Sequence, residues 1–193
     1  MILRCRARPL IVGVGQVQPR KGIDSFVAVA RSLPHYRFIW VGGRPFGSLT
    51  EAGIDLEDRP ENMQFAGRVT DAELHAYYHV ADVFLFPSRQ ENFGQVVVEA
   101  AAASLPLVLS DLDVFRETFG DAALRAATVD ELADAVRSLI EDRSFREQRA
   151  AAARDLADAF TARGCAQSLL ALGARFAEPA FANRRVTHQG ASL

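Results

Sequence analysis

Three charged side chains could carry chemistry in this sequence. Glu91 and Glu99 stand in the run Ser88-Arg89-Gln90-Glu91-Asn92-Phe93-Gly94-Gln95-Val96-Val97-Val98-Glu99-Ala100. Lys21 stands in Gly13-Val14-Gly15-Gln16-Val17-Gln18-Pro19-Arg20-Lys21-Gly22. Glycine in both runs lets a ligand approach the backbone closely. The alanines from Ala100 to Ala103 favour a helix, so its start falls near Gly94, where unpaired N–H groups suit an anion. At ~3.6 residues per turn Glu99 lies about a turn and a half into that helix, and Glu91 stays on the loop before it. Lys21 is the one lysine among 22 basic residues, and its compact ammonium suits a phosphate as a point charge. A molecule with phosphate in the middle and hydroxyls at both ends would fit. A nucleotide sugar has that shape.

Other chemistries fit these residues less well. The glycine-rich run misses the dinucleotide fingerprint, because Gln18 stands where the third glycine belongs. It misses the Walker pattern, because no Gly-Lys-Ser/Thr follows. Its plain reading is an exposed basic turn. Glu91 and Glu99 could be a glycosidase pair, ~5–10 Å apart, but the phosphate loop would then be idle. They could equally be an acidic residue ahead of a helix and an exposed glutamate within it. His75 and His79 have a zinc-compatible spacing on one helix, yet no third ligand joins them and no Glu follows His75. No metal site is expected.

The elements that must position these residues follow from the hydrophobic pattern. Leu10 to Gly15, Tyr36 to Val41, Met63 to Ala66, Val83 to Pro87 (ended by the proline) and Pro106 to Leu109 read as short buried strands. Ile23, Phe26, Val27, Ala30 and Leu33 fall on one helical face, and Pro34 stops that helix. Thr70/Glu73, Thr128/Glu131 and Ser144/Glu147 fit capping boxes that open further helices. A short helix is expected over Val114 to Phe119, and a break in the last helix at Gly164. Arg44 to Asn62 reads as a long loop with room for a short helix. Strands alternating with helices predict an α/β fold with one doubly wound parallel sheet.

The motif Glu91-x7-Glu99, with Phe93-Gly94 inside it and Pro106 after it, resembles the signature of the retaining glycosyltransferases of family 4. The likeness covers roughly Leu10 to Phe160 and is to the C-terminal, donor-binding half of their two-domain GT-B fold, which is Rossmann-like. It implies that Glu99 holds the ribose diol, that Glu91 contacts the sugar, and that Asn92, Phe93, Gly94, Gln95 and Val96 meet sugar and phosphate. Lys21-Gly22 matches the lysine that clamps the donor diphosphate. Gln16, next to Gly15, stands where many members have an arginine, and Arg20 is the candidate replacement. Gly67-Arg68-Val69-Thr70-Asp71 matches the loop that embraces the base, with Val69 touching it and Asp71 reading its edge. Ser104 departs from the pattern, which has glycine there. Gly-Gln-Val followed by Arg-Lys-Gly is similar to bacterial diacylglycerol glucosyltransferases, and Ser110 to Arg116 to phosphatidylinositol mannosyltransferases. The resemblance therefore implies hexosyl transfer from a UDP- or GDP-hexose without a metal, the acceptor class being a lipid. It also implies an N-terminal domain that holds the acceptor and any membrane-binding helix.

Bulk properties agree with a globular domain. A hydrophobic content of 49% supplies a core, and a net charge of -2 gives no footprint for nucleic acid. No apolar run reaches the ~20 residues of a membrane span, so a cytoplasmic chain, at most peripheral on the inner membrane face, is expected. Cys5 and Cys165 read as free thiols. The expected layout is an arm over 1–9, a donor-binding domain over 10–177 and a tail over 178–193. Alternatives are a non-catalytic nucleotide-binding module and a GT-B nucleotide-sugar epimerase. A phosphorylase is set aside, because Lys21 is already placed at the phosphate.

Overall fold

The computed structural model describes residues 8–44 and 58–161, with the single positions 164, 166, 167 and 170 beyond them. Its strands are β1 (Leu10–Val14), β2 (Arg37–Val41), β3 (Met63–Gly67), β4 (Val83–Phe86), β5 (Leu107–Ser110) and β6 (Ala123–Ala126). They pair in parallel in the order β3-β2-β1-β4-β5-β6. The chain runs outward from β1 to β3, returns beside β1 at β4, and then runs outward the other way. The doubly wound sheet therefore has its switch point between β1 and β4, where ligands of such sheets bind.

Helices α1 (Ile23–Ser32), α2 (Asp71–Val80), α3 (Gln95–Ala102), α4 (Asp113–Phe119), α5 (Val129–Glu141) and α6 (Arg143–Ala159) complete the fold. Strand alternation sorts the packing. Phe38 and Trp40 of β2 meet Phe26 of α1 edge-on at 5.6 and 5.1 Å. Gly13 leaves space for both rings, since a Cβ there would stand 2.7 Å from Phe26 and 2.8 Å from Trp40. On the opposite face, Phe84 and Phe86 of β4 meet Tyr78 of α2 and Phe115 of α4. Both faces are dry. That is why β1 and β4 are apolar without alternation.

Several expectations are corrected. Ala123-Leu124-Arg125-Ala126 forms the edge strand β6, which the pattern did not suggest. Its alanines and arginine have little strand propensity, and pairing with β5 decides its conformation. The loop before α1 contains a single 3-10 turn, Pro19–Lys21. The boxes at Thr70 and Thr128 form with both bonds in place. The box at Ser144 does not: Ser144 lies inside α6, and the Asp142 carboxylate caps Phe145 N at 2.9 Å. Glu147 pairs instead with Arg143 at 2.7 Å. Helix α6 ends at Ala159, ahead of Gly164. The expected short helix within 45–57, both cysteines, most of the arm and the whole 178–193 tail lie outside the described residues.

Ser104, where the family pattern has glycine, has a φ of 59°, the left-handed conformation that follows a helix end. A side chain there costs ~1–2 kcal/mol, offset in part by the extra freedom of glycine in the unfolded chain. Ser104→Gly is expected to stabilise the fold by about 0.5–1 kcal/mol, read as a rise in Tm of ~1–4 °C.

The chain divides into two compact units, Met1–Ala157, which holds the sheet, and Asp158–Leu193. In the second, the Thr161 hydroxyl donates to the Asp158 carbonyl at 2.7 Å.

Candidate functional site

Two loops meet at the switch point, one after β1 and one after β4. The Arg89 N–H donates to the Arg20 carbonyl at 2.8 Å. The hydroxyl of Ser88, a fully buried residue, lies 3.1 Å from that same carbonyl and 3.0 Å from the Gln90 carbonyl. The Arg89 guanidinium reaches the Pro19 carbonyl at 3.2 Å and pairs with Asp24. Gly22 makes the approach possible. Its φ is 70°, and a Cβ there would sit 2.6 Å from the Pro87 carbonyl carbon and closer still to the oxygen. The Ser110 hydroxyl donates to the Ser88 carbonyl, so the end of β5 buttresses the pair.

This zipping brings Lys21 and Glu91 together. Their side chains form an ion pair, with 14% and 11% of each exposed. The ammonium also lies 5.3 Å from the centroid of the Phe86 ring. Burial, then the neighbouring Arg20 charge, pushes the ammonium below the usual lysine range, while the Glu91 carboxylate beside it favours the charged form. The stem of Lys21 passes over Gly15, where an added Cβ would lie 3.7 Å from Cδ. Both backbone groups of Gly15 are occupied: its N–H donates to Val41 at 2.9 Å, and its carbonyl accepts from the Trp40 indole at 2.8 Å. Gly15 therefore supplies room, not hydrogen bonds.

Gln16, Gln18 and Arg20 form a chain of side chains. Arg20 Nε donates to Gln18 Oε1 at 2.7 Å, and Gln18 Nε2 donates to Gln16 Oε1 at 2.7 Å. The Arg20 guanidinium is thus tied to Gln18, which in turn is tied to Gln16.

Gly94, with φ 84°, turns the chain into α3 and packs on Phe115, whose Cε1 would stand 2.9 Å from an added Cβ. The first intrahelical bonds run from Val97 and Val98 to the Gly94 carbonyl, at 2.8 and 3.4 Å. The N–H groups of Gln95 and Val96 precede that ladder, at the positive end of the helix. Asn92 is exposed and the Phe93 ring is 43% exposed beside them. Glu99 is half-buried; its Oε1 accepts from Gln95 Nε2 at 3.3 Å and its Oε2 from the Tyr78 hydroxyl at 3.1 Å.

Val69 and Asp71 are placed apart from this group, at the outer end of β3. With strands ~4.8 Å apart, three spacings separate β3 from β4, or ~14 Å. A ligand touching both ends must be an extended one. Val69 packs partly on the core, and Asp71 is the exposed first residue of α2. His75 and His79 line a cavity of about 200 Å³ with Tyr78 and Glu99. Among the described residues no three His, Cys, Asp or Glu side chains gather as a metal would require.

Sequence reasoning missed three things here: the direct Lys21–Glu91 pair, the Phe86 ring near the ammonium, and the Tyr78 hydroxyl on Glu99. Helical spacing of Leu74, Tyr78 and Ala81 could have placed Tyr78 on the sheet-facing side of α2, though not its partner.

Comparison with known proteins bears on the fold and the family. Over 112 residues the chain is 42% identical to the alpha-galactosylglucosyldiacylglycerol synthase of Streptococcus pneumoniae, covering 55% of this chain and 30% of that protein. Over 168 residues it is 30% identical to the GDP-mannose-dependent alpha-(1-6)-phosphatidylinositol monomannoside mannosyltransferase of Mycobacterium tuberculosis, covering 79% of this chain and 43% of that protein. The fold matches Anabaena HepE, solved with UDP and glucose, at a TM-score of 0.70 and 20% identity, over 88% of this chain and 48% of that one. The chain thus spans less than half the length of each of these proteins. Residues 6–156 match the family described as Glycosyl transferases group 1, which takes in both zipped loops and all of α3, and the chain belongs to that family.

Proposed function

We propose that this chain is the donor-binding half of a retaining glycosyltransferase that takes a nucleoside-diphosphate hexose, UDP- or GDP-linked. The observation that carries the reading is the convergence of Lys21, Glu91 and the start of α3 at the switch point, with Glu99 a turn farther along. A diphosphate here would meet the Lys21 ammonium, the Arg20 guanidinium on the rim and the leading N–H groups of α3. These groups would stabilise the charge that grows on the departing nucleoside diphosphate. Glu91, freed from Lys21 as phosphate takes its place, would turn to the sugar hydroxyls, and Glu99 would accept from the ribose diol. Val69 and Asp71 would hold the base.

The finer reading has four parts. Transfer proceeds with retention, the acceptor attacking on the face from which the diphosphate departs. No divalent metal takes part, since the cations and the helix end provide the positive charge. The acceptor is a lipid, as the names of the pneumococcal and mycobacterial relatives suggest. An N-terminal acceptor domain is the partner, and any inner-leaflet association runs through it. No helix among the described residues is long and apolar enough to cross a membrane. Transfer depends on that partner, because rate comes from holding both substrates in register.

Thermal unfolding tests the donor site. A ligand at a hundred times its Kd adds ~2.7 kcal/mol of stability, so UDP or GDP is expected to raise Tm by ~5–10 °C. The same rise in EDTA is expected. A rise that appears only with added magnesium or manganese would contradict the metal-free reading.

A further inference from the structure

Tyr78 is 1% exposed, yet its hydroxyl is not spent on its own helix. Its ring packs against Phe84 at 6.0 Å, and the hydroxyl leaves the core toward α3. There it lies 3.1 Å from Glu99 Oε2 and 3.3 Å from the Val96 carbonyl. A phenol has one proton, and the carboxylate is the stronger acceptor. The Val96 carbonyl is in the first turn of α3, where intrahelical bonding already serves it. Burial, then the nearby Glu99 charge, pushes the phenol well above the usual tyrosine range, so it remains a donor.

We propose that Tyr78 is a positioning residue that fixes the Glu99 carboxylate for two-point recognition of the ribose diol. The inference rests on the donor-site reading above. Tyr78 ties down Oε2, and Gln95, one turn earlier on α3, ties down Oε1 at 3.3 Å. Each carboxylate oxygen has two lone-pair sites, so one on each remains. Two remaining acceptors on one rigid carboxylate match the two O–H donors of a vicinal diol. Without the phenol the glutamate has somewhere else to go. The cavity of about 200 Å³ between α2 and α3 is lined by His75, His79, Ala102 and Ala103 beside Tyr78 and Glu99, and an untethered side chain can turn into it. Tyr78 touches no ligand itself. Its effect passes through the angle at which Glu99 is presented.

The test compares UDP and GDP with their 2′,3′-dideoxy counterparts by calorimetric titration of this chain. The wild type is expected to prefer the ribose form by about tenfold or more, the range for hydrogen bonds to a charged acceptor. Tyr78→Phe keeps the ring on Phe84 and is expected to lower Tm by only ~2–4 °C. Its preference should fall to within ~3-fold, with affinity for the dideoxy ligand unchanged. A purely structural role would weaken both ligands alike, and that outcome overturns the proposal. So does an unchanged preference. Should Tyr78→Phe fail to fold, Glu99→Asp carries the test: one methylene fewer draws the charge away from the phenol, and a retained preference again overturns it. If neither UDP nor GDP binds the wild type, the donor-site reading fails first and this inference with it.

Discussion

Lys21→Ala is expected to weaken binding of a nucleoside diphosphate by at least ~10-fold, and by ~100-fold or more where two bonds are lost, on the basis of one or two charge-assisted hydrogen bonds of ~1.5–3 kcal/mol each. The loss has two sources. The ammonium no longer meets the diphosphate, and Glu91 is left as an unscreened negative charge facing it. The same substitution affects the free protein. Both partners are largely buried, with 14% and 11% of their side chains exposed, and removing one leaves the other's charge uncompensated. Breaking a buried pair costs ~3–5 kcal/mol, and the residual exposure of Glu91 places this site toward the lower figure. Lys21→Ala combined with Glu91→Gln separates the two effects. The double variant should recover most of the stability measured by denaturant unfolding, but only that part of the affinity measured by titration that the bare Glu91 charge had cost. Full recovery of affinity would mean that Lys21 only neutralises Glu91 and never serves a ligand.

Gly22→Ala is the second large effect, and it falls on folding. The Cβ would stand 2.6 Å from the Pro87 carbonyl carbon, at a φ of 70° that L side chains seldom adopt. The left-handed conformation alone costs ~1–2 kcal/mol, and backbone, not a flexible side chain, blocks the way. Relief requires the two loops to part, which breaks the Arg89–Arg20 backbone bond and moves Lys21 away from Glu91. A loss of about 3–5 kcal/mol is expected, seen as a fall in Tm of ~6–20 °C. A shift of a degree or two would show that the loops are not held as tightly as the Gly22–Pro87 contact implies.

The sequence made the fold legible where burial is complete. β1 and β4 are apolar at every position, so their existence and depth follow from composition alone. The caps at Thr70 and Thr128 were legible because both partners lie within four residues of each other. β6 was not, because Ala123 to Ala126 become a strand only by pairing with β5. The Ser144 box failed for a related reason: Asp142, two residues earlier, offered a competing cap. At the site, residue types and motif spacing picked out Lys21, Glu91, Gly94 and Glu99. Their mutual geometry was hidden, since Lys21 and Glu91 lie seventy positions apart in sequence and meet only through the switch point. Tyr78 was hidden twice over, as a core aromatic whose polar tip has a function of its own.

The most direct test of the donor-site assignment is calorimetric titration of this chain with UDP, GDP and ADP, in EDTA, on the wild type and on Lys21→Ala and Glu99→Ala. The assignment predicts that the wild type binds one of the three nucleotides in one-to-one stoichiometry and that each variant binds it at least ~10-fold more weakly. Absence of binding by all three at millimolar concentration, or binding that neither substitution weakens, would contradict it.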